Sequence, residues 1–463
     1  MIKTIQRKGP TRILSEYIAA KRYEDIPATV REKIKILLLD SLGCSIGGST
    51  LKPGKMILSF FEGLGGINES SIHATGRKIP CIHAGYVNSA LSNILDFDDT
   101  LIDKGIGHPG ATVVHPALAV AEKVSGHGKD ILNAICLGYE LSVKILNAMA
   151  PTPERMKQVW GLATFQIFGA VTASCKLLGF DADRIASAFG LAGFCAPVPF
   201  VRKIGTVERP TSWLKNNFGW TSMGGVMSAL QAAEGFQGST YILDGDKSFW
   251  IMAGSDQYDF EELTRGLGED YKFIEKISFK PYAVCRFTHT AIDALKMIKS
   301  KHTISPKDIA RIKAETFYEA FKFSTYRGLN IIEAQYSLPY VIALELLDRS
   351  PSQGLSERDL DDEDVLRIAD LVSLEVDPDT ERLFVEQHLM PSSITIEMKN
   401  GQSVQGKAEI PRGDLRKPLS DEEIIQKFRD IVWPLLGENN AERIIRDCMN
   451  LDMSQGPLRV HLD

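Results

Sequence analysis

Up to about residue 260, apolar positions recur every three to four residues, the period of a helix. The stretch "DIPATVREKIKILLLDSLGCSIGGS" opens on polar and Pro-Ala-Thr residues, continues apolar and stops at a glycine pair, which predicts one strong helix. In "GKDILNAICLGYELSVKILNAMA", Leu132, Ile135, Cys136, Tyr139 and Val143 fall three and four apart. Its other faces are also rather apolar, as in a helix buried inside a bundle. "FGAVTASCKLLGF" and "MGGVMSALQAAEGF" are rich in Ala, Gly and Ser, which let helices approach closely.

Past about residue 270 the period becomes two. "RIKAETF" alternates Ile312, Ala314 and Thr316, and "VSLEVD" alternates Val372, Leu374 and Val376. "SSITIEMKNGQSVQGKAEI" alternates Ile394, Ile396 and Met398 up to Asn400-Gly401, the signal of a hairpin with a type I′ turn. Amphipathic helices, "HTAIDALKMIKSKH" and "LPYVIALELLD", lie between the strands. The tail "SDEEIIQKFRDIVWPLLG" opens on a Ser-x-x-Glu capping box and is helical again. The expected fold is mainly α with an α+β second domain: a large all-helical domain over 1–269, completed by 406–463, and a smaller α+β domain over 270–405.

Composition narrows the function. The 463 residues suit two to three domains, and 44% hydrophobic with 24% charged residues is ordinary globular usage. A formal charge of -6 leaves no electrostatic footprint for nucleic acid, so an anionic ligand needs a local basic pocket. The seven cysteines form no C-x-x-C pair and most sit in apolar helical contexts, which reads as small buried hydrophobes in a reducing compartment. The basic start is followed by no apolar core of a signal peptide, and no apolar run approaches the roughly 18 residues of a membrane span. A cytoplasmic location is expected. No G-x-G-x-x-G follows a strand predicted from the sequence, and no Walker loop or G-x-S-x-G elbow appears, which disfavours nicotinamide, ATP and serine-hydrolase chemistry.

Candidate chemistry gathers in a few places. "LSNILDFDDTLIDKGIGHPG" holds Asp96, Asp98, Asp99, Thr100 and His108 in one short stretch. Asp98, Asp99 and Asp103 imitate, one residue too long, the aspartate-rich element with which helical isoprenoid synthases hold magnesium and diphosphate. Alternatively, Asp96, Thr100 and His108 form a proton-transfer group, or the aspartates cap helices while His108 is solvated. "KPYAVCRFTHTAIDAL" places Lys280, Cys285, Arg286 and His289 just before a helix, a set that suits a carboxylate or phosphate, or else caps carbonyls at a domain junction. Lys215 in "RPTSWLKNNFGWTSMGG" is either desolvated and tuned for proton transfer or snorkels past Trp213 and Trp220. Arg77 and Lys78 in "ATGRKIP" read as a site or as an exposed turn.

An ordered set of these stretches resembles the MmgE/PrpD family, which includes 2-methylcitrate dehydratase, cis-aconitate decarboxylase and iminodisuccinate epimerase. The matching pieces are "LLLDSLGCSIGG", "ATGRKIP", "NILDFDDT" with "HPG", "SWLK", "LQAAEGFQGSTYILDGD", "KPYAVCRFTHTAIDA", "EAQYSLPYVIALELLD" and "PRGDLRKPLSDEEIIQKFRD". The resemblance implies a large helical domain built from both chain ends, a smaller α+β lid domain, a homodimer, and loss of a proton beside a carboxylate with no metal or organic cofactor. Carried over position by position, Asp96, Thr100, His108, Lys215 and Lys280 match the family's active-site group. The chain also departs from that pattern. Where dehydratase-like and decarboxylase-like relatives carry "HPTGTFG" it has "WGLATFQ", so their histidine falls at Trp160. The decarboxylase histidine after the second lysine falls at Cys285, and the late active-site tyrosine near Phe321, with Tyr318 a substitute.

The expectation is therefore a cofactor-independent lyase or isomerase of a small di- or tricarboxylic acid. Lys215, Lys280 and Arg286 bind carboxylates, and His108, oriented by Asp96, is the acid or base. Arg77, Lys78, Cys285, His289 and Trp160 complete the substrate-binding set. No nucleic acid and no membrane are expected as partners.

Overall fold

The first long apolar stretch is the helix Ala28–Gly48, and in the computed structural model it runs through the middle of a helical domain. The structure describes residues 8–160, 162–201, 212–269 and 271–460. From Ile34 onward this helix is buried all round, because Cys81–Ile94, Pro109–Val124 and Asp421–Leu436 pack against it. Its glycines are the points of closest approach. A Cβ on Gly48 would lie 2.0 Å from the Leu91 carbonyl oxygen, and one on Gly43 2.9 Å from the Phe428 ring. The capping box of the last long helix forms as read: Glu423 N–H donates to Ser420 Oγ, and Ser420 N–H to Glu423 Oε2. That helix adds Ile424, Phe428 and Val432 to the core around Leu37 and Leu38.

Among the described residues one straight helix, Gly128–Ala148, is long and apolar enough to cross a membrane, where the sequence reading expected none. Almost all of it is buried inside the helical domain, where a helix must be apolar on every face.

The change of period after residue 270 marks a four-stranded sheet, in the order Ser403–Ala408, Ser392–Met398, Ile309–Thr316, Val372–Val376. The first three strands are antiparallel and the last pair is parallel. Ile312, Ala314, Thr316, Ile394 and Ile396 share the buried face, against which the helix His289–Lys299 packs. The hairpin after Met398 is present, but its turn is not type I′. Only Gly401 has positive φ, at 88°. Gly401 N–H donates to Met398 O (2.9 Å) and Met398 N–H to Gln402 O (2.8 Å). Four residues therefore span the turn, with the glycine alone supplying the left-handed step.

The helical part of the chain also carries three short antiparallel ribbons that the helical reading missed, the third completed by a strand from past residue 270: Ser70–Ser71 with Lys78–Ile79, Val159–Trp160 with Phe200–Val201, and Thr100–Ile102 between Ile106–Gly107 and Ile277–Ser278. Strands of two or three residues are too short to show an alternation. The last ribbon matters most, because it pins the segment leading to Lys280 beside Thr100.

Candidate active site

The helix Cys81–Ile94 ends just before Asp96, whose φ of 54° is left-handed, a conformation aspartate tolerates better than most residues. The turn sends its carboxylate inward. Asp96 Oδ1 lies 2.9 Å from Lys215 Nζ and 2.8 Å from Lys280 Nζ. Lys280 Nζ also donates to the Asp96 carbonyl (2.9 Å), and Lys215 Nζ to the Asn93 carbonyl (2.8 Å). Both lysine side chains are 2% exposed, so Lys215 does not snorkel past the tryptophans. Asp96 Oδ2 is buried and unpartnered.

One carboxylate thus serves two cations. Burial opposes the charge of Asp96, but Lys215 and Lys280 outweigh it and hold the carboxyl well below its usual range. Burial likewise presses both lysines towards neutrality. Asp96 more than offsets this at Lys280, whose pKa is raised, but not at Lys215, whose pKa is lowered.

His108 N–H donates to Gln166 Oε1 (3.0 Å), and the imidazole packs on Phe218 with centroids 5.7 Å apart. Nδ1 lies 2.8 Å from the Asp99 carbonyl and 3.4 Å from Asp98 Oδ2. The expectation that Asp96 orients this ring is corrected here: Asp96 Oδ1 is taken by the lysines, and the orienting acceptors are Asp98 and the Asp99 carbonyl. Asp98 is in turn held by Asn93 Nδ2, at 3.1 and 3.0 Å from its two oxygens. Burial lowers the His108 pKa, with Asp98 and Asp96 pulling the other way and Lys280 and Lys215 adding to the fall. The solvated-loop reading fails, since His108 is buried.

Asp99 caps the helix Pro109–Val124, accepting from Gly110 N–H (3.0 Å) and from Tyr139 Oη (2.7 Å). Burial pushes its carboxyl up to about 7. Asp103 accepts from Asn147 Nδ2 at 2.8 Å and pairs with Lys276. The three aspartates of the magnesium reading are therefore spent on three separate sets of partners. Among the described residues no group of three or more His, Cys, Asp or Glu side chains is arranged to hold a metal ion.

Thr100 lies on the adjoining strand, its Oγ1 buried and unpartnered. Cys285 donates its backbone N–H to Gln335 O (2.8 Å), and burial, with Asp96 adding, pushes its thiol up to about 12. Next to Gln335 is a residue the sequence reading did not single out. Lys215 Nζ stands 5.9 Å from the centroid of the Tyr336 ring, and the Tyr336 hydroxyl has no hydrogen-bond partner among the described residues. Burial first, then Asp96, Cys285 and Asp98, keep this phenol protonated. Its only sequence signal is its place in "EAQYSLPYV". Tyr318, by contrast, is half exposed and stacks on Phe321 at 6.5 Å; neither makes a hydrogen bond, ion pair or ring contact with Asp96, Lys215 or Lys280.

Other expected binding residues form no hydrogen bond or ion pair with Asp96, Lys215 or Lys280 among the described residues. The Arg286 guanidinium is buried but donates to the carbonyls of Phe279 (3.2 Å) and Arg412 (3.4 Å), with Asp414 at 3.9 Å, so it braces a junction between segments. His289 donates from Nε2 to the Val284 carbonyl (3.1 Å) and packs edge-on against Tyr282, as a core histidine does. Arg77 and Lys78 are exposed and pair with Glu62 (2.7 Å) and Glu122 (3.3 Å). The backbone of Trp160 pairs with Phe200, and its side chain lies outside the described residues.

Comparison with known proteins gives a consistent answer. Residues 12–261 match the MmgE/PrpD N-terminal domain, and residues 282–451 match the MmgE/PrpD C-terminal domain. A cis-aconitate decarboxylase of Homo sapiens is 24% identical over 447 residues, covering 91% of this chain and 88% of the human protein. One from Aspergillus terreus is 22% identical over 476 residues, covering 96% and 94% respectively. The corresponding figures for the Mus musculus enzyme are 23% over 462 residues, 95% and 90%.

Proposed function

The chain belongs to the MmgE/PrpD family, and on that premise we propose that it is a cofactor-independent lyase, of dehydratase or decarboxylase type, for a small di- or tricarboxylic acid. The observation that carries this reading is the buried pair Lys215 and Lys280 sharing the single oxygen Asp96 Oδ1. Two desolvated cations that share one contacting carboxylate oxygen attract a substrate carboxylate and stabilise the negative charge that grows beside it. In a dehydratase the neighbouring C–H loses its proton to the base, and hydroxide then leaves with a proton from the acid. In a decarboxylase the C–C bond breaks, carbon dioxide leaves and the carbon takes up a proton. The base is His108, whose Nε2 has no partner among the described residues. The phenol of Tyr336 is the neutral acid beside Lys215. Curated relatives named as decarboxylases support the lyase outcome over the alternative.

That alternative, a dicarboxylic-acid epimerase, draws on Cys285. A thiol pushed up to about 12 stands where decarboxylase-like relatives carry a histidine, and an epimerase needs only removal and return of one proton. Incubation in D₂O with citrate, methylcitrate, cis-aconitate, tartrate and aspartate-derived imino acids, followed by proton NMR, separates the two. A new olefin or released carbon dioxide is the expected result. Deuterium entering an intact skeleton selects the epimerase, and no change in any of these acids refutes the reading.

A further inference from the structure

We propose that Asp98 is the positioning residue of His108, locking the ring as its Nδ1–H tautomer so that Nε2 is the atom that exchanges a proton. The inference deepens the proposed function and rests on it only for the identity of the reaction.

The argument is one of hydrogen-bond bookkeeping. Nδ1 faces two acceptors and no donor: the Asp99 carbonyl at 2.8 Å and Asp98 Oδ2 at 3.4 Å. A lone pair on Nδ1 would meet two oxygens, so the proton belongs there. Nε2 then carries the lone pair of the neutral ring. The ring cannot flip to exchange the two nitrogens without leaving the Asp99 carbonyl, since Phe218 lies at 5.7 Å and the His108 backbone is tied to Gln166 at 3.0 Å. Asp98 is itself immobilised: fully buried, with both oxygens against Asn93 Nδ2, while Asn93 also accepts from Asn216 Nδ2 at 3.1 Å and from Lys215 through its carbonyl. When Nε2 takes a proton from carbon, the imidazolium charge forms beside the Asp98 carboxylate. The charged groups around the ring are Asp98 and Asp96 on its own segment, which favour that charge, and Lys280 and Lys215 from the two facing segments, which oppose it. Gln166 and Phe218 are neutral. Asp98 is the first of the favourable groups, and the only one in reach of the ring's own N–H.

The test needs no substrate. Protein labelled with ¹⁵N-histidine is examined by long-range ¹H–¹⁵N correlation, with His108→Gln identifying the His108 signals. The expected wild-type pattern is Nδ1–H, and Asp98→Asn should lower the His108 titration midpoint by about one unit, a tenfold loss of proton affinity. Tyr139→Phe, which removes a partner of the Asp99 carboxyl but neither acceptor of Nδ1, should leave the midpoint in place. A wild-type Nε2–H tautomer overturns the proposal, and so does an unmoved midpoint in folded Asp98→Asn. If that variant fails to fold, Asn93→Ser, which removes the amide holding both Asp98 oxygens, takes its place, and an unmoved midpoint in that variant likewise overturns the proposal. A correct tautomer and a shifted midpoint in a protein that transforms none of the acids would uphold Asp98 and sink the proposed reaction instead.

Discussion

Removing Asp96 should damage the fold more than removing Lys280, and the order follows from one carboxylate serving two cations. In Lys280→Met, Asp96 Oδ1 loses a partner at 2.8 Å but keeps Lys215 at 2.9 Å. Breaking a buried pair from one side costs about 3–5 kcal/mol, and the surviving partner places this variant at the lower end, about 3 kcal/mol. In Asp96→Asn, two buried ammonium groups face each other with no carboxylate between them, which places the loss at about 5 kcal/mol or more. The pH dependence separates the two further. Buried lysines without their counter-ion have folded pKa values below the unfolded value near 10.4, so the unfolded chain binds more protons at neutral pH. Stability is lost as pH falls below that value and returns as it rises. The deficit of Asp96→Asn against wild type should therefore shrink between about pH 7 and pH 9.5, and that of Lys280→Met should shrink less. Scanning calorimetry across that range reads both effects. A larger loss in Lys280→Met than in Asp96→Asn, or a deficit in Asp96→Asn that does not move with pH, refutes the shared-carboxylate account.

Gly110→Ala should cost about 1–3 kcal/mol in urea unfolding. A Cβ there would sit 2.4 Å from Ser41 Oγ and 2.8 Å from both Asp99 Oδ1 and Tyr139 Oη, all on buried residues, so an unchanged midpoint would mean this knot is loosely packed. Acid should destabilise the protein through His73, His115 and His289, which burial holds below the usual histidine range, His73 at about 3. Their folded pKa values are depressed, so the unfolded chain takes up protons first and stability falls as pH drops below about 6.5. By pH 5 each histidine contributes about 2 kcal/mol of loss. Replacing His115 by Phe should flatten the decline in urea midpoint between pH 6.5 and 5, and an equally steep decline would contradict this reading.

The periods of the chain were a good guide to the fold and a partial one to the site. Helix Ala28–Gly48 and the strands Ile309–Thr316 and Ser392–Met398 are legible because each is long enough for its apolar pattern to show. The ribbon Thr100–Ile102 with Ile277–Ser278 is not, since two or three residues carry no period and the pairing joins segments far apart in sequence. Within the site, residue types located the chemistry but not its wiring. Asp96, Asp98 and Asp99 are equivalent in the string "DFDD". Only the left-handed step at Asp96 sends that side chain to the lysines, and leaves Asp98 beside His108 and Asp99 at the start of the next helix. Arg286 reads as a carboxylate binder because charge is visible in a sequence, whereas the backbone carbonyls of Phe279 and Arg412 that take its Nη1 are not. Tyr336 is hidden for the converse reason: a tyrosine in an apolar run reads as core, and the sequence does not show Lys215 beside its ring.

The same features that strain the site equip it. Asp96 and Lys215 both hold left-handed backbone conformations, at φ 54° and 53°, which cost free energy that a glycine would not. Asp96 Oδ2 and Thr100 Oγ1 are buried with their hydrogen-bonding capacity unspent. A chain optimised for stability alone would fill these positions with apolar residues of similar volume, a change that is often neutral or stabilising. Buried polar atoms without a protein partner occur elsewhere in the chain too, Ser45 Oγ and Tyr340 Oη among them. It is therefore their place on the segment beside the two lysines that makes Asp96 Oδ2 and Thr100 Oγ1 candidates for contact with a ligand. Under the proposed function, the carboxylate of the acid meets the two ammonium groups and its hydroxyl donates to Asp96 Oδ2, which as an ionised carboxylate can only accept. Binding such an acid should then raise the stability of the wild type and do much less for Asp96→Asn, in which the lysines are no longer held in place to receive it.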